Sequence, residues 1–169
     1  METLSVKMLR MLKLSQTEPT LEPVESERIE RGIRQMFENG ENLDINSEKG
    51  IKILCDYNLL LTLLRNLIEN AIKYNYDNGW VRVSLNADHK FFYLKVSDSG
   101  VGIPEELQDS IFERFYRVDK ARSRETGGNG LGLAITRNAI LLHRGSIKVH
   151  SIEQQGTTFA VRIPLMYSE

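Results

Sequence analysis

Residues 66–74, Asn66-Leu67-Ile68-Glu69-Asn70-Ala71-Ile72-Lys73-Tyr74, set two asparagines four apart with a lysine close behind. Worked outward over 57–74, the spacing predicts a helix. At 100° per residue Leu60, Leu64, Leu67, Ile68, Ala71 and Ile72 gather on one side, and Thr62, Asn66, Glu69, Asn70, Lys73 and Tyr74 on the other. The polar side has an unusual make-up, because a merely solvated face favours Lys, Glu and Arg whereas asparagine is a poor helix former suited to caps and turns. Two readings account for the pair equally well. A neutral carboxamide oxygen can meet a hard cation such as Mg²⁺ while the lysine meets a phosphate. Alternatively, the carboxamides bridge buried backbone groups and serve structure alone.

Downstream, FFYLKVSDSG (91–100) reads as a strand ending at Asp98 and followed by Gly100-Val101-Gly102. An aspartate there can accept from an exocyclic amine such as that of adenine, and the glycines let backbone pass close to a flat ring. In isolation the same tripeptide reads simply as an Asp-Ser-Gly turn. Further on, GGNGLGL (127–133) runs directly into the amphipathic pattern AITRNAILLHRG. Glycines just before a helix free N–H groups to converge on an anion, and the helix dipole adds favourable potential. The stretch is no Walker loop, since no Gly-Lys-Ser/Thr follows, and its spacing misses the dinucleotide GxGxxG. Between Gly102 and Gly128 lies a long segment with one helical patch, SIFERFYRV, and a basic tail; connections of that size are lids or binding loops. Most of its cations read as solvated loop charges, leaving Arg117, and with it Arg114, as candidate phosphate ligands.

WVRVSLNADH pairs with FFYLKVSDSG as a hairpin turning near Asp88, and SIKVHSIEQ with TTFAVRIPL as another turning at Gln155-Gly156. ENLDINS and IKILCD read as two short strands, the second apolar enough to be buried on both faces. A helix over 24–37 follows from the stripe Ile29, Ile33, Met36 and Phe37 with the stop Asn39-Gly40. Residues 1–16 carry another stripe, Leu4, Met8, Met11 and Leu12, and read as the tail of a helix begun elsewhere or as a terminal helix of this domain.

With 169 residues, 41% hydrophobic and 27% charged, one well-buried core is expected, and a net charge of −1 gives no nucleic-acid coat or membrane-surface stripe. Any anion site must be local. The single cysteine, Cys55, sits in an apolar run and reads as a buried strand residue, in keeping with a reducing compartment. His143 and His150 lack triad or metal-ligand neighbours and read as structural, and His89 as a turn residue. No apolar run approaches the roughly 20 residues a bilayer crossing needs.

Taken in order, these stretches resemble the catalytic and ATP-binding domain of sensor histidine kinases, within the wider family of gyrase, the Hsp90 chaperone and MutL. NLIENAIKY is similar to the N box, DSGVGIP to the first G box, IFERFYRVD to the F box, GGNGLGL to the second and GTTF to the third G box. The resemblance covers essentially residues 22–164. It implies a two-layer α/β sandwich, a mixed sheet with helices on one face, over 21–169, with an ATP lid at about 104–130 and with residues 1–20 as a dimerisation-helix tail and linker. It also implies Mg²⁺ at Asn70, support for metal and triphosphate from Asn66 and Lys73, and Tyr74 against the nucleotide. Asp98 would take the adenine amine, with Gly100, Gly102 and Ile103 forming the base pocket and Thr157 backing Asp98. Arg117, Gly128, Gly130, Leu131, Gly132 and Leu133 would line the phosphates. Arg144, where such kinases often have glycine, and Asn75, where serine or threonine is common, are expected to lie off the site.

The implied cofactors are ATP and Mg²⁺. The implied reaction is transfer of the γ-phosphate to a histidine on a dimerisation domain that this chain lacks. A response regulator would follow as partner, with no nucleic acid, in a homodimeric, membrane-anchored parent whose kinase domain is cytoplasmic; this chain alone could be a monomer. Catalytic roles fall to Asn66, Asn70, Lys73 and Arg117. The competing readings are a non-catalytic ATP-sensing module, an anti-sigma-type serine kinase, and a gyrase- or chaperone-like ATPase. The last is opposed by Asn66, since those ATPases place a glutamate there to activate water.

Overall fold

The computed structural model describes residues 19–38, 42–110 and 131–165, with the backbone alone at 109–110 and 131–135. The stripe at Leu4, Met8, Met11 and Leu12, the Asn39-Gly40 stop, and the segment carrying Arg114, Arg117, Gly128 and Gly130 lie outside the described residues. In chain order the elements are β1 (Glu22–Glu25), α1 (Ser26–Met36), β2 (Leu43–Ser47), β3 (Lys52–Cys55), α2 (Tyr57–Lys73), β4 (Val81–Ala87), β5 (Phe91–Asp98), a 3₁₀ turn (Glu105–Ser110), α3 (Leu131–Leu142), β6 (Ser146–Ile152) and β7 (Gly156–Pro164).

Alternation builds the main sheet. In β4, Val81, Val83 and Leu85 point inward and Arg82 outward; in β5, Phe92, Leu94 and Val96 point inward and Lys95 outward. Five strands join in the order β2-β4-β5-β7-β6, parallel between β2 and β4 and antiparallel elsewhere. The buried face meets α1 through Ile29 and Ile33, α2 through Leu60, Leu63, Leu64, Leu67, Ile68 and Ala71, and α3 through Ala139 and Ile140. This is the mixed-sheet α/β sandwich expected from the sequence.

Packing decides the conformation of α2. Asn66 and Asn70 each disfavour a helix by up to about 0.7 kcal/mol, whereas each fully buried leucine or isoleucine of the opposite stripe contributes about 1.5–3 kcal/mol. The stripe therefore dictates the helix and leaves the other face open to residues chosen for function. Asp56 caps α2, its Oδ1 accepting from Leu59 N–H at 3.2 Å and its Oδ2 from Thr20 N–H at 3.0 Å.

Two expectations need correcting. The helix expected over 24–37 begins at Ser26, because Val24 is drawn into a two-stranded antiparallel ribbon opposite Ile53. Nor is β3 buried on both faces: Ile53 and Cys55 are buried, Leu54 is half-buried and Lys52 is exposed, since the ribbon covers one side only. Burial pushes the Cys55 thiol up to about 12, so it is a packing residue and no nucleophile.

His143 is structural, as expected, and joins two helices. Its Nε2 accepts from the Asp56 backbone N–H at 2.9 Å, and Nδ1–H donates to the Ala139 carbonyl at 2.8 Å. The end of α3 is thereby tied to the start of α2. Immediately after it, Arg144 N–H donates to Leu141 O and Gly145 N–H to Ile140 O, a Schellman end. Arg144 occupies its left-handed position with φ 58°, which explains why glycine suits this place.

His143→Phe should lower unfolding stability by about 1–3 kcal/mol in urea titration, because the part-buried Asp56 N–H loses its acceptor. Arg144→Gly should raise stability by about 0.5–1 kcal/mol through relief at the left-handed position.

Candidate functional site

The C-terminal end of α2 and the loop after β5 are joined by one hydrogen bond, Val101 N–H to the Tyr74 carbonyl at 3.0 Å. This brings Asn70, Lys73 and Tyr74 to the same end of the molecule as Asp98, Gly100 and Gly102. Register places Asp98 between Val81 on β4 and Thr157 on β7, all three on the inward face. Asp98 Oδ1 accepts from Gly100 N–H at 2.8 Å. The loop passes tightly over its neighbours. A Cβ on Gly100 would run into the Tyr74 carbonyl, and one on Gly102, which has φ 74°, into the Ile152 carbonyl. The first requirement for these glycines is therefore close approach to the protein's own backbone, where the sequence reading had assigned them to a flat ring.

The polar face of α2 is half-buried at Asn66, Asn70, Lys73 and Tyr74. Asn70 Nδ2 donates to the Asn66 carbonyl at 3.1 Å. This realises part of the structural reading of the pair, but it engages the amine end of the carboxamide, and a hard cation takes the oxygen end. Among the described residues no cluster of three His, Cys, Asp or Glu could hold a metal. Mg²⁺ needs no such cage, since it keeps several waters and takes one or two protein oxygens plus substrate phosphates. A carboxamide oxygen fits that requirement.

Thr157 is 7% exposed, and its hydroxyl lies 2.8 Å from Ser151 Oγ. Ser151 Oγ in turn accepts from Ile103 N–H at 2.7 Å, and Gln108 Nε2 donates to the Ile103 and Ser151 carbonyls at 3.0 and 3.1 Å. The β6–β7 turn spans Glu153, Gln154 and Gln155, so Gly156 already belongs to β7 and the turn lies earlier than expected. A Cβ on Gly156 would collide with the Asp98 carbonyl. Leu131, Gly132 and Leu133 form the first turn of α3, which packs along α2.

The reading from sequence missed Ser151, Gln108 and Asn75. Asn75 had been placed off the site, yet its Nδ2 donates to the Trp80 carbonyl at 2.9 Å, and its Oδ1 accepts from Tyr76 N–H at 2.8 Å and Ser99 Oγ at 3.3 Å. It thus braces the residue next to Asp98. Its position directly after Lys73-Tyr74 was the available signal. His89 and His150 are exposed.

Comparison with known proteins bears on this arrangement. Residues 55–166 match the family described as histidine kinase-, DNA gyrase B-, and HSP90-like ATPase. The chain belongs to this family. Signal transduction histidine-protein kinase ArlS of Staphylococcus aureus is 52% identical over 94 residues, which are 56% of this chain and 21% of ArlS. The chain thus matches about a fifth of the length of that relative. The solved catalytic domain of histidine kinase ThkA superposes with a TM-score of 0.74 at 27% identity, covering 86% of this chain and 96% of that one. Full-length ShkA in complex with AMPPNP gives a TM-score of 0.79 at 25% identity, covering 96% of this chain and 35% of that one. ThkA in complex with response regulator protein TrrA, 24% identical, shows the same fold with a TM-score of 0.75, over 96% of this chain and 47% of that one. No helix among the described residues is long and apolar enough to cross a membrane.

Within this family member, Asp98 is electrostatically distinctive. Burial pushes its carboxyl up from the ordinary 3.8 to about 6, against the opposing pull of the Gly100 and Thr157 N–H groups. A folded-state pKa above the unfolded one means the folded chain holds the proton more tightly. The contribution to stability is fully present below the unfolded value and lost as pH rises through about 6. As an acceptor for a ligand amine, however, the carboxyl must be ionised.

Lowering pH from about 7 to 5 should therefore weaken ATP binding, followed by calorimetry, while Asp98 makes the ligand-free domain more stable. Asp98→Asn should remove both pH effects, raise the melting temperature and reduce ATP affinity by about 1–3 kcal/mol, the range for hydrogen bonds to charged groups. Unchanged ATP affinity would take Asp98 out of the site.

Proposed function

We propose that this chain is the ATP-binding, phosphoryl-donating domain of a two-component sensor histidine kinase. The observation that carries the reading is the Val101–Tyr74 hydrogen bond, which holds the carboxamide face of α2 beside the Asp98 loop. Family membership and the likeness to ArlS, ThkA and ShkA support it.

In this reading Asp98 accepts the adenine amine, Gly100, Gly102 and Ile103 shape the base pocket, and Tyr74 packs on the nucleotide. Asn70 is the Mg²⁺ ligand, with Asn66 and Lys73 supporting the metal and phosphates. Arg117, Gly128 and Gly130, with Leu131, Gly132 and Leu133 at the start of α3, are the proposed ligands of the phosphate chain. Bound Mg²⁺ would supply charge neutralisation at the phosphate oxygens. The residues of the chain bind and orient the triphosphate so that its terminal phosphorus stays accessible to a nucleophile.

Transfer of a phosphoryl group depends mainly on positioning and charge stabilisation, so the nucleophile can come from another domain. A histidine of a dimerisation domain is the proposed acceptor, and a response regulator the next recipient. Asn66 is no base at neutral pH, and this disfavours activation of water. A cytoplasmic position in a membrane-anchored, homodimeric parent follows from the same reading.

The test mixes this chain with Mg-ATP and an acceptor hairpin supplied as a separate chain. Expected are Mg²⁺-dependent ATP binding, slow ATP hydrolysis, and acid-labile label on the hairpin that is lost with Asn70→Ala. Binding without label on the cognate hairpin would overturn the kinase assignment, and rapid hydrolysis by this chain alone would return it to the ATPase branch.

A further inference from the structure

The main sheet has a second face, and strand alternation decides what it carries. Side chains between the buried positions point away from the helices. Register puts Lys95 and Lys148 in one row, on either side of Ala160, with Arg82 and Arg162 in the rows before and after. All four cations are exposed. The spacing of neighbouring strands sets the two lysines about 10 Å apart at Cα.

Among the described residues no carboxylate pairs with any of the four, the ion pairs Arg28–Glu22 and Arg34–Glu30 involving other cations. Against them the strands of the sheet set one acid on this face, Asp44 beside Arg82. The chain's net charge of −1 conceals the segregation, because alternation gathers these cations on one surface only once the strands pair.

Apolar side chains stand at the ends of the face. Trp80, 37% exposed, lies just before β4 with the Arg82 guanidinium 4.4 Å from its ring centre, and the exposed Ile152 ends β6. At the opposite end Arg162 covers the Phe91 ring at 4.6 Å. A specific protein interface concentrates apolar and aromatic anchors at its centre and charges at its rim, the reverse of this distribution. Single-stranded nucleic acid needs free aromatic faces for its bases, but guanidinium groups already cover Trp80 and Phe91. A bilayer surface needs neither, since its anionic headgroups attract lysine and arginine over an area and tryptophan suits the headgroup level.

We propose that the open face of the sheet, through Arg82, Lys95, Lys148 and Arg162, docks this domain on a bilayer surface rich in anionic phospholipid. Asp98 and the polar face of α2 belong to the other side of the sheet, so docking leaves them uncovered and does not depend on the nucleotide reading.

Trp80 is the only tryptophan in the chain, and its emission therefore reports on this face. The experiment sediments the full chain with vesicles of equal parts phosphatidylglycerol and phosphatidylcholine, and with phosphatidylcholine alone, while following that emission. Expected are binding to the anionic vesicles only, its loss at high salt, and a blue shift of Trp80 on binding. Each basic residue near an anionic membrane contributes about fivefold in affinity, so joint Lys95→Gln and Lys148→Gln substitution should weaken binding about 25-fold, whereas joint Lys95→Arg and Lys148→Arg substitution should stay within about threefold of wild type. Melting temperature and Mg-ATP affinity should be the same in all variants. If the double glutamine variant melts early, the single substitutions decide the point, each with an expected loss of about fivefold. Equal binding to both vesicles, no binding to either, binding that survives the glutamine pair, or a Trp80 emission unmoved by binding would overturn the docking face. Capture of poly(U) RNA without capture of anionic vesicles would overturn it as well.

Discussion

A carboxylate drawn into the fold at the end of the central strand is the constraint around which the rest is arranged. Asp98 is desolvated enough that burial raises its carboxyl toward neutrality, and the chain answers with backbone donors from Gly100 and Thr157. Gly156 allows β7 to pass against the Asp98 carbonyl, and Gly100 allows the following loop to tuck beneath Tyr74. The acceptor is thus oriented before any ligand arrives. Pre-orientation of this kind reduces the entropy lost on binding and leaves only complementary partners with a net gain.

The same economy governs α2. Its apolar stripe buries six side chains against the sheet and supplies far more than the propensity deficit of two asparagines. Because the helix does not depend on its polar face, that face can carry residues poorly suited to helices. Asp56 at one end and the Tyr74 carbonyl at the other tie α2 to separate neighbours, so its axial position relative to Asp98 is determined at both ends.

Much of this was legible in the residues themselves. Alternation in β4, β5, β6 and β7 and the stripe of α2 reflect burial of one face, which leaves its period in the chain. The asparagine pair stood out because nothing about a helix calls for it. Less legible were contacts between segments far apart in sequence. Val24 became a strand residue because Ile53 pairs with it, and no local pattern in Glu22–Glu25 announces that partner. Ser151 looked like one more polar residue on an alternating strand. Its importance comes from Ile103, 48 residues earlier, and from Thr157 across the hairpin. Asn75 was judged by type alone, whereas its role lies in reaching Ser99.

The tie between His143 and Asp56 has a mechanical consequence. It anchors the C-terminal end of α3 to the helix that carries the asparagines, while an apolar cavity of about 150 Å³, lined by Leu59, Thr62, Leu63, Thr136, Ala139 and Leu142, separates parts of the two helices. A helix of twelve residues is about 18 Å long. Treated as a rod pivoting at its anchored end, α3 would turn a tilt of about 10° into a displacement of roughly 3 Å at Leu131. Adjustments at the cavity walls too small to disturb the core are therefore magnified at the far end of the rod, where the glycine-rich stretch enters the helix.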